Sequence, residues 1–349
     1  MIPRPRRIFA AVLCLAVPVA VRGQTSTATS NVAAISEKAA NRPITTFPAR
    51  IPSEGSLTLQ IQVLLDRANY SPGIIDAAWG RNAAKAMAFF VSPDDNSRLT
   101  GETPPAVTTI DKAAYSRLVN AAGSGPVLTH YTVEARDVAG PFADIPTLVY
   151  DQAKLKCLCY GSPVEALAEK FHTSPVLLSR LNPAVKMSAL KPGTSLLVPK
   201  IRDPFAASPT DTAIVARVII SKTGFWLHAV DAAGKIIYHF PSTLGAGYDP
   251  SPTGDFRVSY VSRDPAFHYQ PKLFAEVPDV QPEARLPAGP NSPVGVVWIG
   301  LSKPHYGIHG TSSPQTIGYA NSHGCVRLTN WDALKLSDLV EPGVPVQFK

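Results

Sequence analysis

The sequence predicts a multidomain α+β protein that contains a small three-helix module, a βααβ module and a mainly β, sandwich-like domain. Three observations support this fold class. Helical periodicity dominates residues 54–122, a strand–helix–helix–strand pattern covers residues 146–200, and short apolar runs separated by turns cover residues 212–349. A chain of 349 residues is long enough for two or three such domains.

The first 23 residues are predicted to be a secretory signal peptide. A basic start with Arg4, Arg6 and Arg7 precedes an apolar run over 8–21 that is too short to span a bilayer comfortably. Removal of this segment and its four arginines lowers the formal net charge from +7 to +3. We therefore expect an exported protein of the periplasm or cell wall without stable membrane insertion. The small residual charge gives no indication of nucleic-acid binding.

Residues 24–53 are predicted to be a flexible linker, because most of this stretch is rich in Ser, Thr, Ala and Asn. Residues 54–122 then read as three helices. They resemble peptidoglycan-binding modules of the three-helix type, which implies either wall binding or a structural spacer. The residues that carry this resemblance are Leu59, Gln60, Leu65, Tyr70, Pro72, Gly73, Ile75, Asp76 and Gly80.

Residues 146–200 read as two helices followed by a strand. The first helix is predicted from Ser162 to Lys170, the second ends at Asn182-Pro183, and the strand covers 195–199. This order resembles the LysM module, which implies binding to glycan strands. His172 lies at a helix end and is interpreted as a cap or packing residue. We expect deletion of 54–200 to weaken wall association more than turnover of a soluble substrate.

After a predicted linker over 203–212, strand signals dominate the chain. The predicted strands are Ile214–Ile220, Phe225–Val230 and Lys235–Phe240, and Asp231–Gly234 is a hairpin turn between the last two. Residues 264–293 contain many prolines and little periodicity. An irregular stretch of this length inside a compact domain is usually a functional loop.

The segment YGIHGTSSPQTIGYANSHGCVR, from Tyr306 to Arg327, carries the chemistry. It places His309 and His323 near Cys325, with Gly310 and Gly324 as small neighbours. An imidazole can remove the proton from a thiol, and small neighbours let a carbonyl approach the resulting thiolate. Glycine at 324 also lets backbone N–H groups turn toward a developing oxyanion. The segment therefore predicts acyl transfer, with Cys325 as nucleophile and His309 as general base.

These residues resemble the catalytic domain of the L,D-transpeptidase family, also called the YkuD domain. The resemblance covers roughly 212–349 and includes several blocks in the family's order. The matching positions are Ser251–Phe256, Gly289–Pro293, Gly295, Trp298–Leu301, Ile308–Thr311, Ser322–Cys325 and Arg327–Asn330.

The resemblance implies a cysteine acyltransferase that forms 3→3 cross-links between peptidoglycan stem peptides through a thioester on Cys325, without cofactor or metal. It also implies that a backbone carbonyl, by position that of Gly310, orients His309, and that 264–293 covers the groove. Arg327, Tyr306 and Ser322 are candidate substrate contacts. His323 has two open interpretations. If the segment is extended it faces the same way as Cys325 and tunes the thiolate; otherwise it is a scaffold of the loop.

Several alternatives remain open from the sequence. With water as acceptor the same site is an L,D-carboxypeptidase, and with a protein lysine it anchors proteins to the wall. A different class is a zinc-dependent wall peptidase with His309, His323 and Cys325 as ligands, although the spacing matches no common zinc motif. The last is a non-catalytic peptidoglycan-binding protein, against which the complete His/His/Gly/Cys set argues.

Three cysteines remain after signal removal, since Cys14 lies within the signal peptide. Cys157 and Cys159 flank a single residue, Leu158, and a bridge across one residue is expected to be strained. One or both are interpreted as small buried residues, and the sequence leaves open whether the pair is oxidised. Cys325 is the thiol expected to be reactive.

Overall fold

The described part of the chain begins at residue 35. The computed structural model describes residues 35–92, 96–202, 214–245, 247, 250–273 and 280–349. The predicted signal peptide, the first part of the predicted linker over 24–53 and the predicted linker over 203–212 lie outside these residues. No helix among the described residues is long and apolar enough to cross a membrane.

The first region is helical, as predicted. Its elements are α1 (Glu37–Ala40), β1 (Ala49–Arg50), α2 (Ser56–Arg67), α3 (Arg81–Val91), α4 (Ser97–Thr100), β2 (Thr109–Ile110) and α5 (Lys112–Ala122). Helices α2, α3 and α5 occupy the three predicted helical stretches. Helix α5 begins at Asp111, whose side chain accepts a hydrogen bond from the backbone N–H of Ala114.

The prediction of a flexible linker is wrong for residues 35–53, which pack against α2. Ala40 and Ile51 are buried in the same core as the helices. Gln60 donates from Nε2 to the Ala40 carbonyl at 2.7 Å and to the Arg42 carbonyl at 2.8 Å. The composition did not indicate this ordered packing, because only the few apolar residues of the stretch are buried against a neighbouring helix.

The second region has the βααβ order with a long insertion. Its elements are β3 (Leu128–Thr132), α6 (Ala135–Val138), α7 (Val149–Gln152), α8 (Pro163–Lys170), α9 (Pro175–Leu181), a short 3-10 turn (Met187–Ala189) and β4 (Ser195–Pro199). Strands β3 and β4 pair antiparallel. The predicted boundary at 146 is therefore too late, because the first strand precedes it. The side chains of Ser162 and Ser174 cap the first turns of α8 and α9.

The third region is built on one eight-stranded sheet with the order β13-β12-β11-β8-β14-β5-β6-β7. Its elements are β5 (Arg217–Ser221), β6 (Trp226–Val230), β7 (Ile236–Pro241), β8 (Gly254–Arg263), β9 (Phe267–Tyr269), β10 (Ala284–Leu286), β11 (Val297–Leu301), β12 (Gly307–His309), β13 (Val326–Arg327), α10 (Asn330–Leu339) and β14 (Pro345–Phe348), with 3-10 turns at Pro271–Leu273 and Pro314–Thr316. The three predicted strands and the hairpin between β6 and β7 are confirmed.

Strand β8 gives the sheet its curled, sandwich-like character. Residues 254–257 pair with β14, whereas residues 258–263 pair with β11. The two halves of the sheet therefore diverge along β8, and their apolar side chains meet in one core. Helix α10 contributes Ala333 and Leu336 to the same core.

The helical region and the sheet are packed together rather than tethered. The described residues belong to one compact unit. Phe89 of α3 is fully buried, with its ring centroid 5.1 Å from that of Trp226 and 4.4 Å from that of His228. The backbone N–H of Ser71 donates to the His239 carbonyl at 3.0 Å. Deletion of 54–200 would thus expose part of the core of the sheet. This deletion therefore cannot separate an effect on wall association from an effect on turnover of a soluble substrate.

Cys157 and Cys159, whose redox state the sequence left open, form a disulfide. Leu158 between them is fully buried in a small cluster with Tyr269 and Leu286. The backbone N–H of Leu158 donates to the Ala288 carbonyl at 2.9 Å. The bridge therefore closes a tight loop that packs on the segment predicted to cover the groove.

A group of ionisable side chains lies where the three regions meet. His172 of the second region is 2.9 Å from an oxygen of Asp66 on α2 and stacks on the ring of Trp331 on α10. Ser71 donates to Asp332 at 2.9 Å. Burial raises the pKa of Asp332 from 3.8 to about 7, against the opposing effects of His172 and hydrogen bonds. Burial opposes the charge on His172, but Asp66 raises its pKa overall.

We predict that Phe89→Ala lowers the free energy of unfolding of the whole described unit by about 3–5 kcal/mol in one transition, because it empties a buried site shared by helix and sheet. Chemical unfolding followed by tryptophan fluorescence and by circular dichroism measures this. The matched control is Val176→Ala, whose side chain is 69% exposed; it should change stability by about 0.5 kcal/mol or less. Separate transitions for helix and sheet would contradict the shared packing.

We also predict that Asp332 makes stability depend on pH. Its raised folded-state pKa gives a stabilising contribution that is complete below 3.8 and is lost as pH rises through about 7. The unfolding free energy of wild type relative to Asp332→Asn should therefore fall between these limits, by up to about 1.4 kcal/mol per pH unit. Denaturant titrations at several pH values measure this difference. A difference that stays constant or grows with pH would contradict the assignment.

Candidate active site

The predicted site residues border one groove of about 1180 Å³ on the sheet. The groove has the strands β11, β12 and β13 on one side and the β9–β10 hairpin on the other. Its lining includes the predicted nucleophile Cys325, the predicted base His309 and the second histidine, His323. It also includes the candidate substrate contacts Arg327, Tyr306 and Ser322. His309 and Cys325, which are sixteen positions apart in the sequence, are therefore brought to one surface.

Strand pairing aligns the groups that line the groove. Strands β12 and β13 pair in parallel, with Ile308 opposite Val326 and His309 opposite Arg327. On the other side of β12, His309 is opposite Trp298, and their rings stack with centroids 5.3 Å apart. Side chains alternate along strands, so this register turns His309 and Arg327 toward the same face.

His309 is held in one tautomer. Its Nδ1 lies 2.7 Å from the Gly310 carbonyl, the contact that the resemblance implies. Because a carbonyl only accepts, Nδ1 carries the proton and Nε2 keeps a lone pair. Burial lowers the pKa of His309 to about 3, and the charge of Arg327 adds to this effect, while the hydrogen bond to Gly310 opposes it. The imidazole is therefore neutral near neutral pH and able to accept a proton.

The residues before Cys325 form a turn and not an extended strand. Gly324 has φ of +89°, in the region that favours glycine, and β13 begins only at Val326. The alternation argument that placed His323 and Cys325 on one side therefore does not apply, although both border the groove. Cys325 is partly buried and takes no part in the Cys157–Cys159 disulfide. Its Sγ lies 3.6 Å from the His305 carbonyl.

A second segment, residues 243–251, holds this turn in place. Thr243 and Arg327 exchange two backbone hydrogen bonds of 2.9 Å, and the N–H of Ser322 donates to the Leu244 carbonyl at 2.7 Å. Ser251 is buried; its hydroxyl accepts from the N–H of Gly245 at 2.9 Å and donates to the Gly324 carbonyl at 2.8 Å. Ser251 belongs to a block that matches the family, but no role was predicted for it. Its position before a Pro-Thr-Gly turn was the feature that could have indicated one.

Two candidate substrate contacts have other interactions. The Ser322 hydroxyl donates to the Cys325 carbonyl and the residue is 1% exposed, so it stabilises the turn instead of presenting its hydroxyl to a ligand. The ring of Tyr306 lies 4.8 Å from the ammonium nitrogen of Lys303 at the rim of the groove. Arg327 remains a candidate contact because it borders the groove two residues after Cys325.

Asn330, at the start of α10, supports the His309 loop. Its Oδ1 accepts from the N–H of Thr311 at 3.1 Å and from the N–H of Val296 at 3.3 Å. Gly310 is required here, since a Cβ at this position would lie 2.2 Å from that oxygen. Sequence analysis assigned Asn330 only to a matching block.

Segments outside the β strands complete the groove. The described residues of 264–293, the stretch predicted as a cover, form its wall with Phe267, His268 and Arg285. Val149 and Gln152 of α7 also border it, so the insertion in the second region contributes to the site. Among the described side chains, no cluster of three or more His, Cys, Asp or Glu could hold a metal ion. The zinc peptidase alternative therefore finds no ligand set in this groove.

Comparisons with known proteins agree with the motif analysis. A sequence model of the family YkuD, described as the L,D-transpeptidase catalytic domain, matches residues 215–347. A protein named "Putative L,D-transpeptidase YkuD" from Bacillus licheniformis is 31% identical over 188 residues, which are 54% of this chain and 94% of that protein. Its namesake in Bacillus subtilis is 28% identical over 186 residues, covering 53% and 93% of the two chains.

A comparison with solved structures finds the L,D-transpeptidase LdtMt1 in complex with imipenem. The identity is 19%, the TM-score is 0.31, and the match covers 39% of this chain and 59% of that one. The present chain thus spans about six tenths of that solved chain.

We predict that Ser251→Ala destabilises the turn that carries Cys325. The substitution leaves the Gly245 N–H and the Gly324 carbonyl without their shared partner, which should cost about 1–3 kcal/mol of unfolding free energy. Turnover should fall as well, since Gly324 precedes the proposed nucleophile. Ser302→Ala is the control, because Ser302 accepts only from the Arg257 N–H at an exposed site. Equal behaviour of the two variants would contradict this role for Ser251.

Proposed function

The chain belongs to the L,D-transpeptidase family, and from this premise we propose that it cross-links peptidoglycan stem peptides through a thioester on Cys325. The observation that carries the proposal is His309, which is neutral, donates from Nδ1 to Gly310 and borders the same groove as the Cys325 thiol. A neutral imidazole with a free Nε2 is the form that a general base requires.

The first half-reaction forms the acyl-enzyme. The Cys325 sulfur attacks the carbonyl of the third residue of a tetrapeptide stem, and its proton passes to Nε2 of His309. The carbon–nitrogen bond to the terminal D-alanine then breaks, and the proton leaves on the departing amine. In the second half-reaction, a side-chain amine of another stem attacks the thioester, and the sulfur is released as the thiol. The two steps together form a 3→3 link.

Charge around the groove supports an anionic substrate. Stem peptides carry free carboxylates, and four cationic side chains border the groove, namely Lys272, Arg285, Lys303 and Arg327. Arg327 lies two residues from Cys325 and carries a planar guanidinium that can bind a carboxylate through two hydrogen bonds. We assign it to the donor stem.

The second region supports a contact with glycan strands. Its βααβ order is that of LysM modules, and it packs directly on the catalytic region. Binding of glycan at such a fixed position would raise the local concentration of stems at the groove. The helical region packs its α3 against the sheet, and we propose that it serves mainly as structural support.

The acceptor distinguishes three related activities at the same thioester. An amine of a second stem gives a cross-link, water gives an L,D-carboxypeptidase, and a protein lysine gives wall anchoring. The proposal of a signal peptide places the reaction in the periplasm or cell wall. Product masses from a mixture of stems identify the acceptor directly.

We predict that Cys325→Ala abolishes cross-linking of disaccharide-tetrapeptides, with a loss of about 1000-fold or more, because the nucleophile is removed. Mass spectrometry of the products measures this, and an unchanged unfolding temperature shows that the variant is folded. Intact-protein mass spectrometry of the wild type with imipenem, which the solved relative binds, should give an adduct that maps to Cys325. Cross-linking by Cys325→Ala at the wild-type rate would contradict the proposal.

A further inference from the structure

A partly buried carboxylate from the second region reaches the loop that holds His309. Glu169, on α8, accepts from Nδ2 of Asn330 through Oε1 at 3.0 Å and through Oε2 at 3.2 Å. Tyr160 donates to the same Oε1 of Glu169 at 2.9 Å and so helps to fix the carboxylate. Burial raises the pKa of Glu169 to about 7, against the hydrogen bonds from Tyr160 and Asn330. In either protonation state, one oxygen remains available to the Asn330 amide.

The Asn330 amide has two distinct sides, and Glu169 selects its orientation. Nδ2 donates to Glu169 and also to the Pro290 carbonyl at 3.1 Å. Oδ1 accepts from the N–H groups of Thr311 and Val296. A flipped amide would place its two hydrogens against N–H donors and its oxygen against two acceptors. The carboxylate therefore fixes which end of Asn330 faces the loop after His309.

The loop contacts connect this orientation to the imidazole. The peptide that joins Gly310 to Thr311 has its N–H bound by Asn330, and its carbonyl accepts from Nδ1 of His309 at 2.7 Å. The same rigid peptide plane therefore carries both contacts. Asn330 packs directly against Gly310, because a Cβ at that position would overlap the Asn330 oxygen.

We propose that Glu169 is a positioning residue for acyl transfer, which acts through Asn330 on the Gly310–Thr311 peptide and so on His309. The inference rests on the proposed function, since it assigns Glu169 to the orientation of the proposed base. It also gives the second region a part in turnover of a soluble donor, independent of any glycan contact.

The test uses the full exported chain and a soluble disaccharide-tetrapeptide as donor and acceptor. Glu169→Leu should lower kcat by about 10- to 100-fold with KM changed by about twofold or less, because a misplaced base impairs the chemical step and not binding. Glu169→Gln should keep kcat within about threefold of wild type, since its amide oxygen, in the place of Oε1, can accept from both Asn330 and Tyr160.

A matched control lies one helical turn away. Glu165 accepts from the Asn291 amide at 2.8 Å and from the Gly161 N–H at 2.7 Å, at the same junction but without a contact to Asn330. Glu165→Leu should lower the unfolding temperature while leaving kcat within about threefold of wild type. A loss of kcat in this control as large as in Glu169→Leu would overturn the proposal.

A double-variant comparison separates positioning from stability. In an Asn330→Ala background, Glu169→Leu should cause no further loss of kcat, because the route to His309 is already removed, although the unfolding temperature should still fall. A persistent effect on kcat in that background would overturn the proposal. If Glu169→Leu does not fold, Tyr160→Phe replaces it as a milder variant, with an expected loss of kcat of about threefold to tenfold. Unchanged kcat in Tyr160→Phe would then count against the proposal.

Failure of this inference is distinct from failure of the proposed function. If Cys325→Ala is inactive and Glu169→Leu is as active as wild type, the thioester mechanism stands and the positioning role is wrong. If Cys325→Ala retains activity, the proposed function itself is wrong.

Discussion

The short parallel pairing of β12 with β13 is the constraint on which the site depends. Cys325 and His309 are sixteen residues apart in the sequence, and only this register brings them to one groove. Two residue pairs define the contact, so the pairing needs support from both ends. The 243–251 segment holds the turn before β13, and Asn330 holds the loop after β12. Together they fix a neutral imidazole at the end of β12 and a thiol in the turn that leads into β13.

The regions outside the sheet are part of this support. Phe89 is packed among aromatic residues of the sheet, and Glu169 extends from α8 to the loop that orients the imidazole. The disulfide between Cys157 and Cys159 closes a loop whose Leu158 packs beneath the wall of the groove. The described residues, which the sequence predicts as modules joined by linkers, therefore form one packed unit, and stability and turnover share many of the same contacts.

Sequence reasoning was most successful where the signal is local. The strands around the Asp231–Gly234 turn depend on neighbours in the chain, and the contact of His309 with Gly310, which the resemblance implied, joins adjacent residues. It failed where the outcome depends on distant partners. The Glu169–Asn330 contact spans 161 positions, and no periodicity or spacing records it. The extended reading of the residues before Cys325 failed because Gly324 adopts a left-handed conformation that glycine permits but does not require.

The central claim is that His309 activates Cys325, and the rate of alkylation of the thiol by iodoacetamide tests it most directly. Because Cys157 and Cys159 are paired, peptide mapping by mass spectrometry needs to distinguish alkylation of Cys325 only from that of Cys14 in the predicted signal peptide. The pKa of about 3 keeps His309 neutral across pH 5 to 8. The account predicts that His309→Gln slows alkylation at pH 7 by about tenfold or more, with the fold retained. Superimposable rates for wild type and His309→Gln across this pH range would contradict it.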